Sequence, residues 1–193
     1  MKKIILILLL LNLSNHVYSI EPDVFVQSTV NRASLILSKN ISKEQKIVQL
    51  KNIAKETVDI KGVGFYSLGS TRKTLNDDQK KQYLFLFENY FLKSFSSRLA
   101  EYTNPEIDVK NKEVINKNYT IVNSVLIATA ERPEVKIDWR IYTKNPDSPL
   151  IRDLIIEGLS LARTQKEEFA SILNSNKNDI NALFKSLEEF SKN

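Results

Sequence analysis

Between Val135 and Tyr142 the chain reads VKIDWRIY, so Val135, Ile137, Trp139 and Ile141 alternate with Lys136, Asp138, Arg140 and Tyr142. A period of two marks a strand with one buried face, because successive side chains point to opposite sides of a sheet. Upstream of Pro105 the apolar residues recur at helical spacing instead. Helices and strands are therefore segregated along the chain, the order of an α+β domain. Tyr119, Ile121, Val125 and Ile127 predict a second strand, and Ile107 to Ile115 a weaker one. Asn145-Pro146-Asp147-Ser148-Pro149 is a turn leading to a fourth strand, Leu150 to Ile156.

The helical part begins near Glu21 and runs to Ser38, with Pro22 suited to a first turn. Ser42 followed by Gln45 is a capping box that opens a helix to Val58. Residues 59–75 carry three of the four glycines and predict short helices and turns that bury Val63, Phe65, Tyr66 and Leu68. Gly62, Gly64 and Gly69 lack the spacing of a phosphate loop. Asn76 or Asp77 then caps a long helix to Glu101, with Leu84, Phe87, Phe91, Phe95 and Leu99 as its stripe. Seven aromatic residues fall between Tyr83 and Tyr102, which makes this helix apolar on most sides: either a central core helix or one whose flank lines a cavity. After the strands, Gly158 turns the chain into a helix from Leu159 to Leu173, and Asp179 starts a last helix to Phe190. The expectation is an α+β domain: N-terminal helices, about four strands in a twisted antiparallel sheet, and C-terminal helices.

The start of the chain reads as a secretory signal peptide. Met1-Lys2-Lys3 is positive, Ile4 to Leu13 is apolar apart from Asn12, and Val17-Tyr18-Ser19 fits a cleavage site. The apolar run is half of the roughly 20 residues that a spanning helix needs. Cleavage after Ser19 divides the chain into a signal peptide, 1–19, and one domain, 20–193. It also removes Lys2 and Lys3, so 26 basic residues face 23 acidic ones and the net charge is +3. That mild balance, with lysines spread among acids, is not a nucleic-acid footprint.

The only histidine is His16, the only methionine is Met1, and cysteine is absent. The exported part therefore offers no His-based triad, no thiol nucleophile and no customary zinc or copper site. No cofactor is expected. Carboxylate chemistry stays open, with Asp138, Asp153 and Glu157 as the strand-region candidates.

Three stretches together resemble the MlaC family, the periplasmic phospholipid-carrier component of lipid-trafficking ABC systems, also called the toluene-tolerance auxiliary family. Asp153-Leu-Ile-Ile-Glu157-Gly158-Leu-Ser160-Leu161 followed by Phe169 is similar to the family's Asp-Val-x-Val-Glu-Gly-Val-Ser-Leu…Phe signature. Leu68-Gly69-Ser-Thr-Arg72-Lys-Thr-Leu with Gln79 resembles its Leu-Gly…Trp-Arg…Ser-x-x-Gln segment. Phe87…Phe91…Leu99…Tyr102 is similar to the aromatic helix that follows. The chain departs from the pattern in four places: Pro149 or Leu150 stands where the family has a Trp before the Asp-Val strand, Thr71 precedes Arg72 where the family has Trp, Lys166 replaces an Arg, and Phe95 replaces a Tyr.

The resemblance implies a cystatin-like or NTF2-like fold whose pocket takes acyl chains and leaves the headgroup at the mouth. It implies a non-enzymatic, monomeric carrier in the periplasm. Such a carrier exchanges phospholipid between an outer-membrane lipoprotein–porin partner and an inner-membrane ABC transporter with an MCE-domain protein, and so maintains outer-membrane lipid asymmetry. The physics agrees: at about 0.8 kcal/mol per methylene, two chains of about 16 carbons cost roughly 25 kcal/mol to hold in water. The expected pocket residues are Phe65, Leu84, Phe87, Phe91, Ile121, Val125, Val135, Ile137, Trp139, Ile141, Ile155 and Leu159; closed core is the alternative for each. Arg72, Glu157, Ser160 and Lys166 are candidates for headgroup or partner contact. For Glu157 and Ser160 a local role in capping the following helix is the alternative. Two rival functions remain: an NTF2-like carboxylate enzyme, and a chaperone-type module for exported apolar segments.

Overall fold

In the computed structural model the described residues are 19–192. The predicted signal peptide therefore lies outside them, save for Ser19. Helices come first: α1 (Pro22–Ser38), α2 (Lys43–Thr57), α3 (Ile60–Ser67), a 3-10 helix at Gly69–Lys73, and α4 (Asp77–Leu99). The strands follow as β1 (Ile107–Asn116), β2 (Tyr119–Leu126), β3 (Val135–Tyr142), β4 (Leu150–Ile156) and β5 (Leu159–Ser160). Helices α5 (Leu161–Ser175) and α6 (Ile180–Lys192) close the chain. The sheet is antiparallel in the order β1-β2-β3-β4-β5. The α+β class is as the sequence implied, with one strand more.

Capping chemistry sets the helix starts. Ser42 and Gln45 form a full capping box at α2, and Asn76 and Gln79 form another at α4. Asp59 accepts from the Gly62 N–H to cap α3. Each cap satisfies backbone donors that the first turn leaves without partners.

The extra strand comes from the turn at Glu157-Gly158. Both residues have positive φ, 48° and 82°, the requirement of a two-residue type I′ hairpin. Gly158 adopts this freely. Glu157 is held there because its carboxylate accepts from the Lys136 N–H at 2.5 Å while its own N–H donates to the Lys136 carbonyl at 3.0 Å. The hairpin lays Leu159-Ser160 beside Ile156-Ile155, so α5 starts at Leu161, two residues later than the spacing predicted.

The sheet's helix-facing side carries Val122, Trp139 and Ile141, which are buried with Ile137, Leu126 and Ile151. Trp139 donates its Nε1–H to the Ser124 hydroxyl, which donates to the Ile137 carbonyl. On β2 the structure corrects the face assigned from spacing. Thr120, Val122, Ser124 and Leu126 turn inward, while Tyr119, Ile121 and Val125 take the other face. Both faces of β2 carry β-branched residues, so apolarity alone did not separate them. The indole decides it: Ser124 buried under Trp139 gains two hydrogen bonds that offset its desolvation.

Against this side pack Val26 and Val30 of α1 and the aromatic stripe of α4, sealed by Phe169 of α5 and by Leu183, Phe184 and Leu187 of α6. Phe169 meets Tyr83 and Phe87 edge-on, with ring centroids 6.5 and 6.1 Å away. At α4 the expected all-round apolarity is interrupted, since Phe85 is 67% exposed. Among the described residues no helix is long and apolar enough to cross a membrane.

Candidate functional site

The stripe of α4 does not close completely against the sheet. Phe87 stacks on Phe91 at 6.1 Å and Phe91 on Phe95 at 5.5 Å. These rings face Ile151 and Leu154 of β4 and Leu161 and Ala162 of α5 across a cavity of about 190 Å³. Its wall is mainly apolar, and Arg98, Gln165 and Glu168 mark the polar part of the rim. Tyr90 sits between: its hydroxyl donates to Gln165 Oε1 at 2.8 Å, and burial pushes its pKa up. The volume is close to the apolar void of about 150 Å³ known to hold one benzene ring.

A bulge in the β3–β4 ladder builds a second cavity. Arg140 pairs with Asp153 but the next residue, Ile141, pairs with Ile151, leaving Arg152 as the extra residue. Such a bulge re-aims side chains locally. Here it brings Arg152 beside Tyr119 and Tyr142. The guanidinium lies 4.0 Å from the Tyr142 ring centroid, donates to the Tyr119 hydroxyl at 2.8 Å, and pairs with Asp59 at 2.5 Å. Burial lowers the pKa of Arg152, but its bonds to Asp59 and Tyr119 outweigh this and hold it above the usual value. The cavity beside it has about 410 Å³ and is lined by Tyr66, Ile115, Tyr119, Ile121, Arg140 and Arg152 among others. Val63, Arg152 and Ala162 belong to the walls of both cavities.

Asp153 joins the two regions. It is 5% exposed and accepts from Ser160 Oγ at 2.6 Å and from the Ala162 N–H at 3.0 Å. Arg140 lies 3.5 Å away. Ser160 also accepts from the Arg163 N–H, so it is the N-cap of α5. The other two carboxylates also have structural partners: Asp138 accepts from Asn123, and Glu157 from Lys136. Among the described residues no group of three or more His, Cys, Asp or Glu side chains has a metal-binding arrangement.

The residues expected at a pocket fall in four places. Phe87 and Phe91 line the first cavity, and Ile121 lines the second. Ile137, Trp139 and Ile141 are buried in the core, with Leu84 and Val135 partly buried against it. Phe65, Val125 and Ile155 are half-buried, and neither cavity includes them. Leu159 is 60% exposed on the hairpin. Beside Ile155 on β4 it is Leu154 that lines the first cavity, while Ile155 pairs with Asp138 on the other face.

Of the polar candidates, Glu157 holds the hairpin and Ser160 caps α5. Lys166 lies over the Tyr66 ring at 5.4 Å, at the edge of the second cavity. Arg72 is exposed on the 3-10 helix, away from both cavities. Sequence reasoning missed Arg98, Arg140 and Arg152. The signal for Arg140 was present: in a strand with alternating faces it shares a side with the strand's tyrosine.

A meandering antiparallel sheet under a helical layer, with an apolar cavity against an aromatic helix, defines an α+β domain with an internal apolar pocket. Within that class, the chain belongs to the MlaC family, whose model, MlaC protein, matches residues 27–189. The solved structure of a phospholipid-binding protein from Ralstonia solanacearum, in complex with a phospholipid, is similar in fold. Its TM-score is 0.76 at 20% sequence identity, over 90% of this chain and 98% of that chain. Among curated proteins none matches.

Proposed function

We propose that this protein is an exported phospholipid carrier that shields acyl chains between α4 and the β4–α5 wall. The observation that carries the proposal is the apolar cavity along Phe87, Phe91 and Phe95, in a chain of the MlaC family. The phospholipid bound by the Ralstonia solanacearum protein of the same fold supports it. The engagement of Asp138, Asp153 and Glu157 in structural hydrogen bonds favours binding over turnover. A void of about 190 Å³ is smaller than an acyl chain needs, so loading requires α4 and the β4–α5 wall to move apart.

Export through the N-terminal segment would place the carrier in the periplasm. Its exchange partners there are an inner-membrane MCE-domain ABC complex and an outer-membrane lipoprotein–porin complex. The family assignment supports both.

Residues 20–193, exported to a periplasm and purified without detergent, should show a mass excess in native spectra that vanishes on denaturation and extracts as phospholipid. Protein that carries no such mass and takes up no lipid from vesicles would overturn the carrier reading. Loaded protein mixed with an MCE-domain protein should exchange lipid with it; no movement in either direction would remove that partner.

A further inference from the structure

The second cavity contains two arginines with different duties. Arg152 is committed: Asp59 neutralises it, the Tyr119 hydroxyl accepts from it, and its flat face covers Tyr142. The Arg140 side chain makes no hydrogen bond to any described residue. Its nearest acid, Asp153, lies 3.5 Å away, and that carboxylate already accepts from Ser160 and Ala162. The side chain is 42% exposed and lines the cavity of about 410 Å³. A guanidinium carries five N–H donors in a planar fork that matches two oxygens of a phosphate.

Tyr119 adds a further donor. Its oxygen accepts from Arg152, which leaves its own hydroxyl hydrogen for another acceptor. Lys166, over the Tyr66 ring, brings another cation to the rim. Asp138 shares the β3 face and is held by Asn123.

We infer that Arg140 and Tyr119 form a subsite for a phosphodiester, which in the carrier proposed above is the phosphate of the lipid headgroup. The diester would sit in the arginine-lined cavity, and the acyl chains beyond the shared wall of Val63 and Ala162. Arg152 is a positioning residue: it orients Tyr119, and its own donors are engaged by Asp59 and Tyr119. The subsite makes the carrier selective for phosphate-bearing lipids over neutral ones with identical tails.

The test uses the full chain from residue 20 and vesicles that contain either phosphatidylglycerol or diacylglycerol of the same acyl composition. The wild type should take up the phospholipid at least about tenfold better, equivalent to about 1.4 kcal/mol. Arg140→Gln should lose most of that preference and keep its diacylglycerol uptake, with circular dichroism unchanged. Arg140→Lys should retain part of it, because a point charge replaces the fork. Millimolar inorganic phosphate should leave lipid uptake unaltered; competition by phosphate would identify a free-anion site and overturn the headgroup assignment. Equal uptake of both lipids by the wild type would overturn the subsite and leave the carrier standing. Uptake of neither would end both. The wild-type comparison decides the matter even if Arg140→Gln does not fold.

Discussion

Ser160 donates its hydroxyl hydrogen to Asp153 at 2.6 Å and accepts the Arg163 N–H at 3.1 Å, so one side chain ties strand β4 to the first turn of α5. Asp153 completes the tie by accepting from the Ala162 N–H. The signature Asp-x-x-x-Glu-Gly-x-Ser is therefore the description of one corner: a buried acid, a two-residue turn and a cap that folds back onto the acid.

Asp153→Ala should destabilise the protein by about 3 kcal/mol. It strips a charged acceptor from the buried Ala162 N–H and the half-buried Ser160 hydroxyl and leaves Arg140 without its ion-pair partner. Ser160→Ala removes the cap and one of the donors, and should cost about 1 kcal/mol. Urea unfolding followed by Trp139 emission measures both, since Trp139 is the only tryptophan and is buried. Equal losses for the two variants would contradict the hierarchy.

Gly64 permits the contact of α3 with α4. A Cβ at this position would lie 2.8 Å from Phe87 Cδ1, closer than a side chain tolerates, and Phe87 is a wall of the first cavity. Gly64→Ala should cost about 1–3 kcal/mol through overpacking and should reduce lipid uptake as the ring is pushed into the cavity. Uptake at wild-type level, with the melting temperature lowered, would show that the ring moves elsewhere.

Gly158 meets nothing within 4 Å, so space does not restrict it, yet its φ of 82° does. Gly158→Ala should cost about 1 kcal/mol from backbone strain alone and leave lipid uptake unchanged. A thermal melt is sufficient to check it.

Tyr83 donates its hydroxyl to the Gly64 carbonyl at 2.8 Å and is fully buried, which pushes its pKa far above the ordinary 10.0. The folded state keeps this proton when the unfolded chain releases it. The stabilising contribution is therefore complete below pH 10 and is lost as pH rises above it. Between pH 9 and 11 the wild type should lose more stability than Tyr83→Phe, which has no proton to release. Parallel pH profiles would sink this account.

Much of the fold was legible because its signals were local. The Ser42–Gln45 capping box, the cap at the start of α4, the alternation of β3 and the periodicity of α4 each depend on residues within a few positions. The site was less legible because its geometry comes from long-range relations. The inward face of β2 depends on Trp139 reaching Ser124 across the ladder. The place of Arg152 depends on a bulge in a strand that reads as regular. Leu154 and Ile155 look equivalent in the sequence, yet only the ladder register separates cavity wall from opposite face.

The strands lie side by side in the order in which they occur along the chain. No strand waits for a crossover, so each ladder can close beside the one just formed, and loop-closure entropy accumulates in small steps. With cysteine absent, folding waits for no oxidant either. Assembly speed is then set by how quickly hairpins zip and the aromatic helix docks, not by covalent rearrangement.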